Sequence, residues 1–353
     1  MDNNITIKKT ILWDITRRCN LNCIHCYNFG SIASSLELDI EKDHKSIIDR
    51  FVKAGINHIH LLGGEPLLTN GLFEMINYAN KCGVLVSINT NGTLLNKEMI
   101  NRLIELQLFQ LTISLDGATQ LTNDEIRGSG SFERVVENVK RTVACIHNNN
   151  SPMIVQIATV ITRKNLSTIH KLPRLLKEIG VQYLDILKLY ECGNASKNAL
   201  SLSITSKEYL DAICKLIFES YRNQIFTQID CKPKVLNIIN KRFGFQIEKF
   251  NISFAKCCAG KQIIFMDHKG NIFPCGPYSH TLSDPELQTN IFAENYIESL
   301  KIIENSISDK IRINTNELKP ICKNCQFKSV CGGCAICFNN YEELCEEADK
   351  LYR

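Results

Sequence analysis

From Thr10 to Tyr190 the chain alternates short apolar runs with amphipathic ones, and that alternation restricts the fold more than any other feature. Ile11–Thr16, His58–Leu62, Val84–Asn89, Leu111–Leu115, Ile154–Ile161 and Tyr183–Leu189 are rich in Ile, Leu and Val and have strand length. Asp39–Ala54, Gly71–Lys81, Lys97–Leu106, Phe132–His147 and Leu166–Ile179 carry helical spacing between them. Such alternation builds a parallel sheet covered by helices. Six units are too few for a closed eight-stranded barrel, so the expected architecture is α/β, a partial (β/α)6 barrel. Its reactive groups are expected at the carboxyl ends of the strands.

Polar and glycine residues do gather there. Cys19, Cys23 and Cys26, spaced C-x3-C-x2-C, follow the first strand, and Gly63-Gly64-Glu65-Pro66 follows the second. Asn89-Thr90-Asn91-Gly92 follows the third, and Ser114-Leu115-Asp116-Gly117 closes the fourth. Four successive strand ends point to one shared site. A loop of that spacing wraps three thiolates round one metal centre, yet structural zinc and an ordinary cubane iron–sulfur cluster both want four ligands. Three ligands leave one position open for something that reacts.

The 17 cysteines are unevenly spread: three in this loop, five scattered singly, and nine between Cys257 and Cys345. The amino terminus has no apolar signal segment and no run approaches a membrane span, so the expected location is the cytoplasm, without membrane association. A reducing compartment makes the clusters metal ligands or catalytic thiols rather than a disulfide framework. The net charge of +4 is too mild and too dispersed to indicate nucleic acid. We divide the chain into a barrel core at 1–192, a linker with bridging helices at 193–254, and a cysteine-rich module at 255–353. Thr205–Arg222 reads as an amphipathic helix of the bridge, and Ile291–Ile307 as a helix inside the module. A cysteine-rich module of this kind is held together by metal ligation as much as by a core.

The pair of motifs, Cys19-x3-Cys23-x2-Cys26 and Gly63-Gly64-Glu65-Pro66, resembles the radical S-adenosylmethionine (radical SAM) superfamily over about Thr10 to Tyr190. The resemblance implies an enzyme in which Cys19, Cys23 and Cys26 hold three irons of a [4Fe–4S] cluster and SAM chelates the fourth. It implies cofactor contacts from Gly63 and Gly64, whose backbone approaches the ligand closely for want of a Cβ, and from Glu65, an acceptor for the methionine ammonium, with Pro66 stiffening the turn. Ser114 and Asp116 resemble polar contacts to the methionine and ribose, and Arg127 an arginine aimed at the SAM carboxylate. Two roles stay open for His25, a ring beside adenine or a packed loop residue, and two for Asn91, a cofactor contact or a turn former.

The late cysteines resemble the SPASM extension, which carries auxiliary [4Fe–4S] clusters, here one or two. By that resemblance Cys322, Cys325, Cys331 and Cys345 ligate an outer cluster, and Cys258 and Cys275 an inner one, with Cys334 or Cys337. The spacing after Cys331 departs from the family pattern, and Cys257 has no assigned part. Asp267-His268-Lys269-Gly270 is expected to form a hairpin turn that brings Cys258 and Cys275 together. The implied function is maturation of a peptide or protein substrate, forming a thioether or carbon–carbon crosslink. It would draw on an external one-electron donor of flavodoxin or ferredoxin type. With strand one starting at Thr10, the expectation is that a separate protein binds any leader peptide, or that the barrel mouth and SPASM module capture the substrate directly. A small-molecule radical enzyme of cofactor biosynthesis is the alternative. The anaerobic sulfatase maturases carry an aspartate where this chain has Gly276, which disfavours their reaction. A non-catalytic iron–sulfur protein fits least.

Overall fold

The computed structural model describes residues 6–28, 37–230, 232–243, 252–254, 259–281, 284–310, 323–327 and 341–352. All six expected strands are present: β1 (Thr10–Thr16), β2 (His58–Gly63), β3 (Leu85–Thr90), β4 (Gln110–Ser114), β5 (Ile154–Ile161) and β6 (Tyr183–Lys188). They pair in chain order and in parallel.

The sheet does not stop at six. β7 (Phe226–Ile229) and β8 (Ile252–Phe254) continue it in parallel beyond β6. The stretch expected to be bridging structure therefore extends the barrel wall. On the other side of β1, β9 (Ile263–Met266) pairs in parallel, and β10 (Asn271–Phe273) and β11 (Thr289–Asn290) follow antiparallel. The expected hairpin turn is there: Asp267 N donates to Asn271 O at 2.9 Å, and Gly270 supplies the positive φ of 82° that the turn requires.

Parity along each strand decides what each face touches. Ile11, Trp13, Ile15, Ile59, Leu61, Val86, Ile88, Leu111, Ile113, Ile157, Leu184 and Ile186 are all buried in one core. Over them lie α1 (Ile40–Lys53), α2 (Leu72–Lys81), α3 (Lys97–Glu105), α4 (Gln120–Arg127), α5 (Ser131–Asn148) and α6 (Leu172–Glu178). Trp13 meets Phe51 of α1 edge to face at 5.7 Å. Each such side chain, fully buried, contributes about 1.5–3 kcal/mol relative to exposure.

The other face is polar. A parallel sheet covered on both sides reads as continuous apolar runs, whereas β2 to β4 alternate His58, His60, Ser87, Asn89, Gln110 and Thr112 with their core residues. These groups satisfy one another: His58 Nε2 lies 2.8 Å from Ser87 Oγ, His60 Nε2 2.7 Å from Asn89 Oδ1, and Gln110 donates to both Thr112 and Gln156. Burial and neighbouring His60 push the His58 imidazole down to about 4, so it is neutral in this network.

After β6 come α7 (Gly193–Lys197), α8 (Ala199–Leu202), α9 (Ser206–Asn223) and α10 (Pro233–Phe243). α9 has a full capping box between Thr205 and Glu208. In the carboxy-terminal region lie α11 (Gly276–Thr281), α12 (Tyr296–Lys310) and α13 (Tyr341–Tyr352). Among the described residues no helix is long and apolar enough to cross a membrane.

Candidate active site at the strand ends

The loop after β1 is fixed by backbone before any side chain acts. Gly64 N donates to Thr16 O and Glu65 N to Arg18 O, each at 2.7 Å, so the end of β2 is zipped to the residues just before Cys19. A Cβ on Gly64 would sit 2.1 Å from Arg18 O, and one on Gly63 2.4 Å from Thr16 O. The close approach that requires glycine here is to the chain's own backbone.

Glu65 is fully buried and reaches across to β3. Its carboxylate accepts from Leu67 N at 3.1 Å, Thr90 Oγ1 at 2.7 Å and Asn91 N at 2.8 Å. Burial raises its pKa and these three donors oppose the rise. Three of about four acceptor sites are filled, so Glu65 ties two strand ends together. That leaves one acceptor site at most for the expected ammonium. Pro66 starts the short 3-10 turn Pro66–Leu68 that Glu65 caps.

Asn91 turns out to do more than shape a turn. Its Nδ2 lies 2.8 Å from Asn20 Oδ1 and 3.9 Å from Cys19 Sγ, while its Oδ1 accepts from Thr93 N and Oγ1. On the opposite side, Arg127 at the end of α4 donates from Nε to Asp116 Oδ2 at 2.6 Å and places Nη1 4.0 Å from Cys23 Sγ. Asp116 is fully buried; Oδ2 also meets His25 Nε2 at 3.0 Å, and Oδ1 accepts from Val160 N at 2.7 Å. Burial alone would raise its pKa, but the Arg127 guanidinium and His25 hold the carboxyl well below the usual range. Both oxygens are thus engaged by the protein, and Asp116 orients Arg127 and His25. His25 Nδ1 is buried and has no hydrogen-bond partner among the described residues. Ser114 ends β4, half-buried, opposite Ala158.

Burial raises all three thiols, Cys23 to about 12, against the nearby Arg127 charge. The free thiols would hold their protons at neutral pH. Each of Cys23 and Cys26 is also raised by a neighbouring cysteine, which places the sulfurs in one electrostatic environment. Among the described residues no three His, Cys, Asp or Glu side chains are grouped to hold a single metal ion.

The second half of the loop is clamped by a segment that the sequence suggested was a linker. Ala195 N donates to Cys26 O at 3.1 Å and Asn194 N to Asn28 O at 3.0 Å. Asn194 Nδ2 reaches Asn22 Oδ1 at 3.0 Å, and Asn198 Nδ2 reaches Ile24 O at 3.2 Å. Ile24 N in turn donates to Ile126 O of α4. Two asparagines four apart in Asn194-Ala195-Ser196-Lys197-Asn198 were the only available signal, and amide side chains commonly serve turns as well. Tyr27 donates to Asp14 Oδ1 at 2.6 Å and meets His280 of α11 edge to face, so the loop also touches the carboxy-terminal region. Burial, opposed by Tyr27, pushes the Asp14 carboxyl up to about 7.

Of the late cysteines, Cys275 is half-buried beside Tyr278 and Leu287, directly before Gly276 and α11. Cys325 is half-buried in a short described segment. Cys345 lies on α13, buried in the main apolar core with Leu344 and Ala348. Cys258, Cys322, Cys331, Cys334 and Cys337, and with them Cys257, lie outside the described residues.

The family model described as the radical SAM superfamily matches residues 13–176. The AdoMet-dependent heme synthase of Methanosarcina barkeri is 31% identical over 92% of this chain and 90% of its own length. Mycofactocin maturase MftC of Mycolicibacterium smegmatis is 29% identical over 82% of this chain and 69% of its own. Among solved structures, Streptococcus suis SuiB bound to precursor peptide SuiA superposes with a TM-score of 0.72 at 15% identity, covering 94% of this chain and 73% of that one. The anSMEcpe enzyme with bound AdoMet gives 0.68 at 18% identity, covering 97% and 96%. At such identities the two structures share the fold.

Proposed function

The chain belongs to the radical SAM superfamily, and from that premise we propose that it takes a hydrogen atom from a carbon of a peptide or protein substrate, using SAM and a [4Fe–4S] cluster held at Cys19, Cys23 and Cys26. The observation that carries this reading is the pair of N–H donors, Arg127 Nη1 and Asn91 Nδ2, aimed at two sulfurs of a loop that holds three half-buried cysteines. That donor set fits a cluster: each iron takes the place of a thiol proton, and hydrogen bonds to sulfur stabilise the charge that results. When bound, the cluster and SAM supply one-electron cleavage of the sulfonium and, through the 5′-deoxyadenosyl group, hydrogen-atom abstraction.

The chain's own residues bind and orient. Gly63 and Gly64 hold the loop against β2, Asn194 and Asn198 hold its far side, and Asp116 fixes Arg127 so that its remaining N–H groups meet the SAM carboxylate. Ser114 offers a hydroxyl to the same ligand. Cys275 and Cys325, with thiols from the rest of 255–353, form one or two auxiliary clusters of SPASM type. An external flavodoxin- or ferredoxin-like donor supplies the electron, and a separate protein presents any leader peptide. The resemblance to a named maturase, MftC, supports the peptide substrate.

A second reading, chemistry on a small iron porphyrin, is favoured by the heme synthase relative matched over nine-tenths of its length. One experiment separates them. Reconstituted, reduced protein is incubated anaerobically with SAM plus either peptides or an iron porphyrin, and 5′-deoxyadenosine is quantified. Peptide-stimulated release with loss of hydrogen from the peptide supports the first reading. Stimulation by porphyrin alone installs the second, and no release from cluster-loaded protein overturns both.

A further inference from the structure

The inner face of the sheet is not uniform. Across β2 to β5 the groups His58, His60, Ser87, Asn89, Gln110, Thr112 and Gln156 pair with one another, as described above. Across β6 and β7 the corresponding groups, Asp185 and Gln228, do not. Asp185, Gln228 and Ala158 occupy one cross-strand row, Ala158 opposite Asp185 and Asp185 opposite Gln228, and the row begins at Ser114 on β4. Asp185 is half-buried and Gln228 exposed, and neither makes a hydrogen bond or ion pair to any described residue. Ala158 presents only a methyl group beside Asp185. In the adjoining row, two residues earlier on each strand, Tyr183 and Phe226 stack at 5.2 Å with 37% and 38% of their surface exposed.

A carboxylate set into a wall without a counter-charge is costly unless something pairs with it. The charged neighbour that acts on Asp185 is Asp230, at the end of β7, which with burial pushes the Asp185 carboxyl up to about 7. A cation arriving from outside would relieve both effects. Adjacent strands are about 4.8 Å apart, so Asp185, two strands from Ser114, lies roughly 10 Å along the wall from it. That is beyond contact with a ligand held only at Ser114, and within reach of a second molecule beside it.

We propose that Asp185, Gln228 and the Tyr183–Phe226 pair form the substrate wall of the barrel, a subsite for a peptide segment carrying a lysine or arginine side chain. Asp185 takes the cation, Gln228 pairs with a backbone amide, and the stacked rings lie under the apolar stem of the side chain. The inference rests on the peptide reading above. It also counts against a porphyrin, whose propionate groups would meet Asp185 with like charge.

The test uses cluster-loaded full-length enzyme and four pools of N-acetylated, amidated tripeptides with lysine, arginine, norleucine or glutamate at the centre. The readout is 5′-deoxyadenosine release relative to each protein's own peptide-free rate. Wild type is expected to favour lysine and arginine over norleucine about tenfold. Asp185→Asn should abolish that preference, and Asp185→Lys should transfer it to glutamate. The same ranking in wild type and both variants would overturn the subsite while leaving the peptide reading intact. Stimulation by none of the pools, alongside stimulation by an iron porphyrin, would overturn the peptide reading and the subsite with it. Should Asp185→Lys fail to fold, the Asp185→Asn comparison decides alone.

Discussion

Arg127 is a long side chain held by one short contact, and its anchor is worth more than a surface pair. Asp116 has no exposure, and removing its charge strands a buried guanidinium beside His25. Breaking such a pair from one side costs about 3–5 kcal/mol, so Asp116→Asn should lower the unfolding midpoint sharply, as read by circular dichroism. A variant melting within a degree or two of wild type would contradict the anchor. Arg127→Lys keeps the charge but loses the fork, and SAM affinity measured by equilibrium dialysis should fall about tenfold with iron content retained. Acidity gives a separate handle. Asp185 has a folded pKa of about 7, raised from 3.8 by burial and by Asp230. Between those values the folded state keeps a proton that the unfolded state has released, so stability falls as pH rises from about 4 to 7 and then levels off. Asp185→Asn should therefore match wild type near pH 4 and exceed it in melting temperature at pH 8. Equal melting temperatures at pH 8 would place the carboxylate in water. Few of these pairings were legible in the sequence: the motif named Arg127 and Asp116 as ligands of a cofactor, while their mutual contact at 2.6 Å depends on α4, a polar helix with no apolar periodicity to reveal it.

At the scale of elements, the cluster loop is a segment gripped from three sides, by the end of β2, the end of α4 and the paired short helices α7 and α8. The first grip was in the motif, though its physical reason was not. Gly63 and Gly64 are glycines because Thr16 O and Arg18 O occupy the space of a side chain. Gly64→Ala, with its Cβ 2.1 Å from Arg18 O, must push the loop off β2, and iron bound per chain after reconstitution should drop several-fold. Gly83→Ala is the control, since that glycine has a positive φ of 72° and open space around it. It should cost only about 1 kcal/mol of backbone strain and leave the iron content unchanged. The third grip was invisible, because a Gly-Asn-Ala-Ser-Lys-Asn run has the composition of a linker. Asn198→Ala, which removes the bond to Ile24 O, should speed iron loss to a chelator without altering secondary structure. An unchanged rate would assign that asparagine to local helix packing.

For the whole molecule, the sheet's division of labour follows from parity: one face welds helices to strands, the other stays polar for ligands. The six strands and five of the covering helices were readable because each carries a strong apolar period. β7, β8 and the β9–β11 extension were not, since strands of two to four residues carry too few positions to establish a period. Those short strands matter: they carry Gln228 and bring Cys275 to the β1 side of the sheet, where His280 meets Tyr27. On the proposed function, the loop at Cys19, Cys23 and Cys26 is where SAM is cleaved. The most direct measurement is 5′-deoxyadenosine formed from SAM by reduced, reconstituted enzyme, set against the triple variant Cys19→Ala, Cys23→Ala, Cys26→Ala. The wild type should release it, and the triple variant should release none while keeping the iron of the carboxy-terminal module. Equal release by both proteins, or none by a wild type that carries its full iron, would contradict the claim.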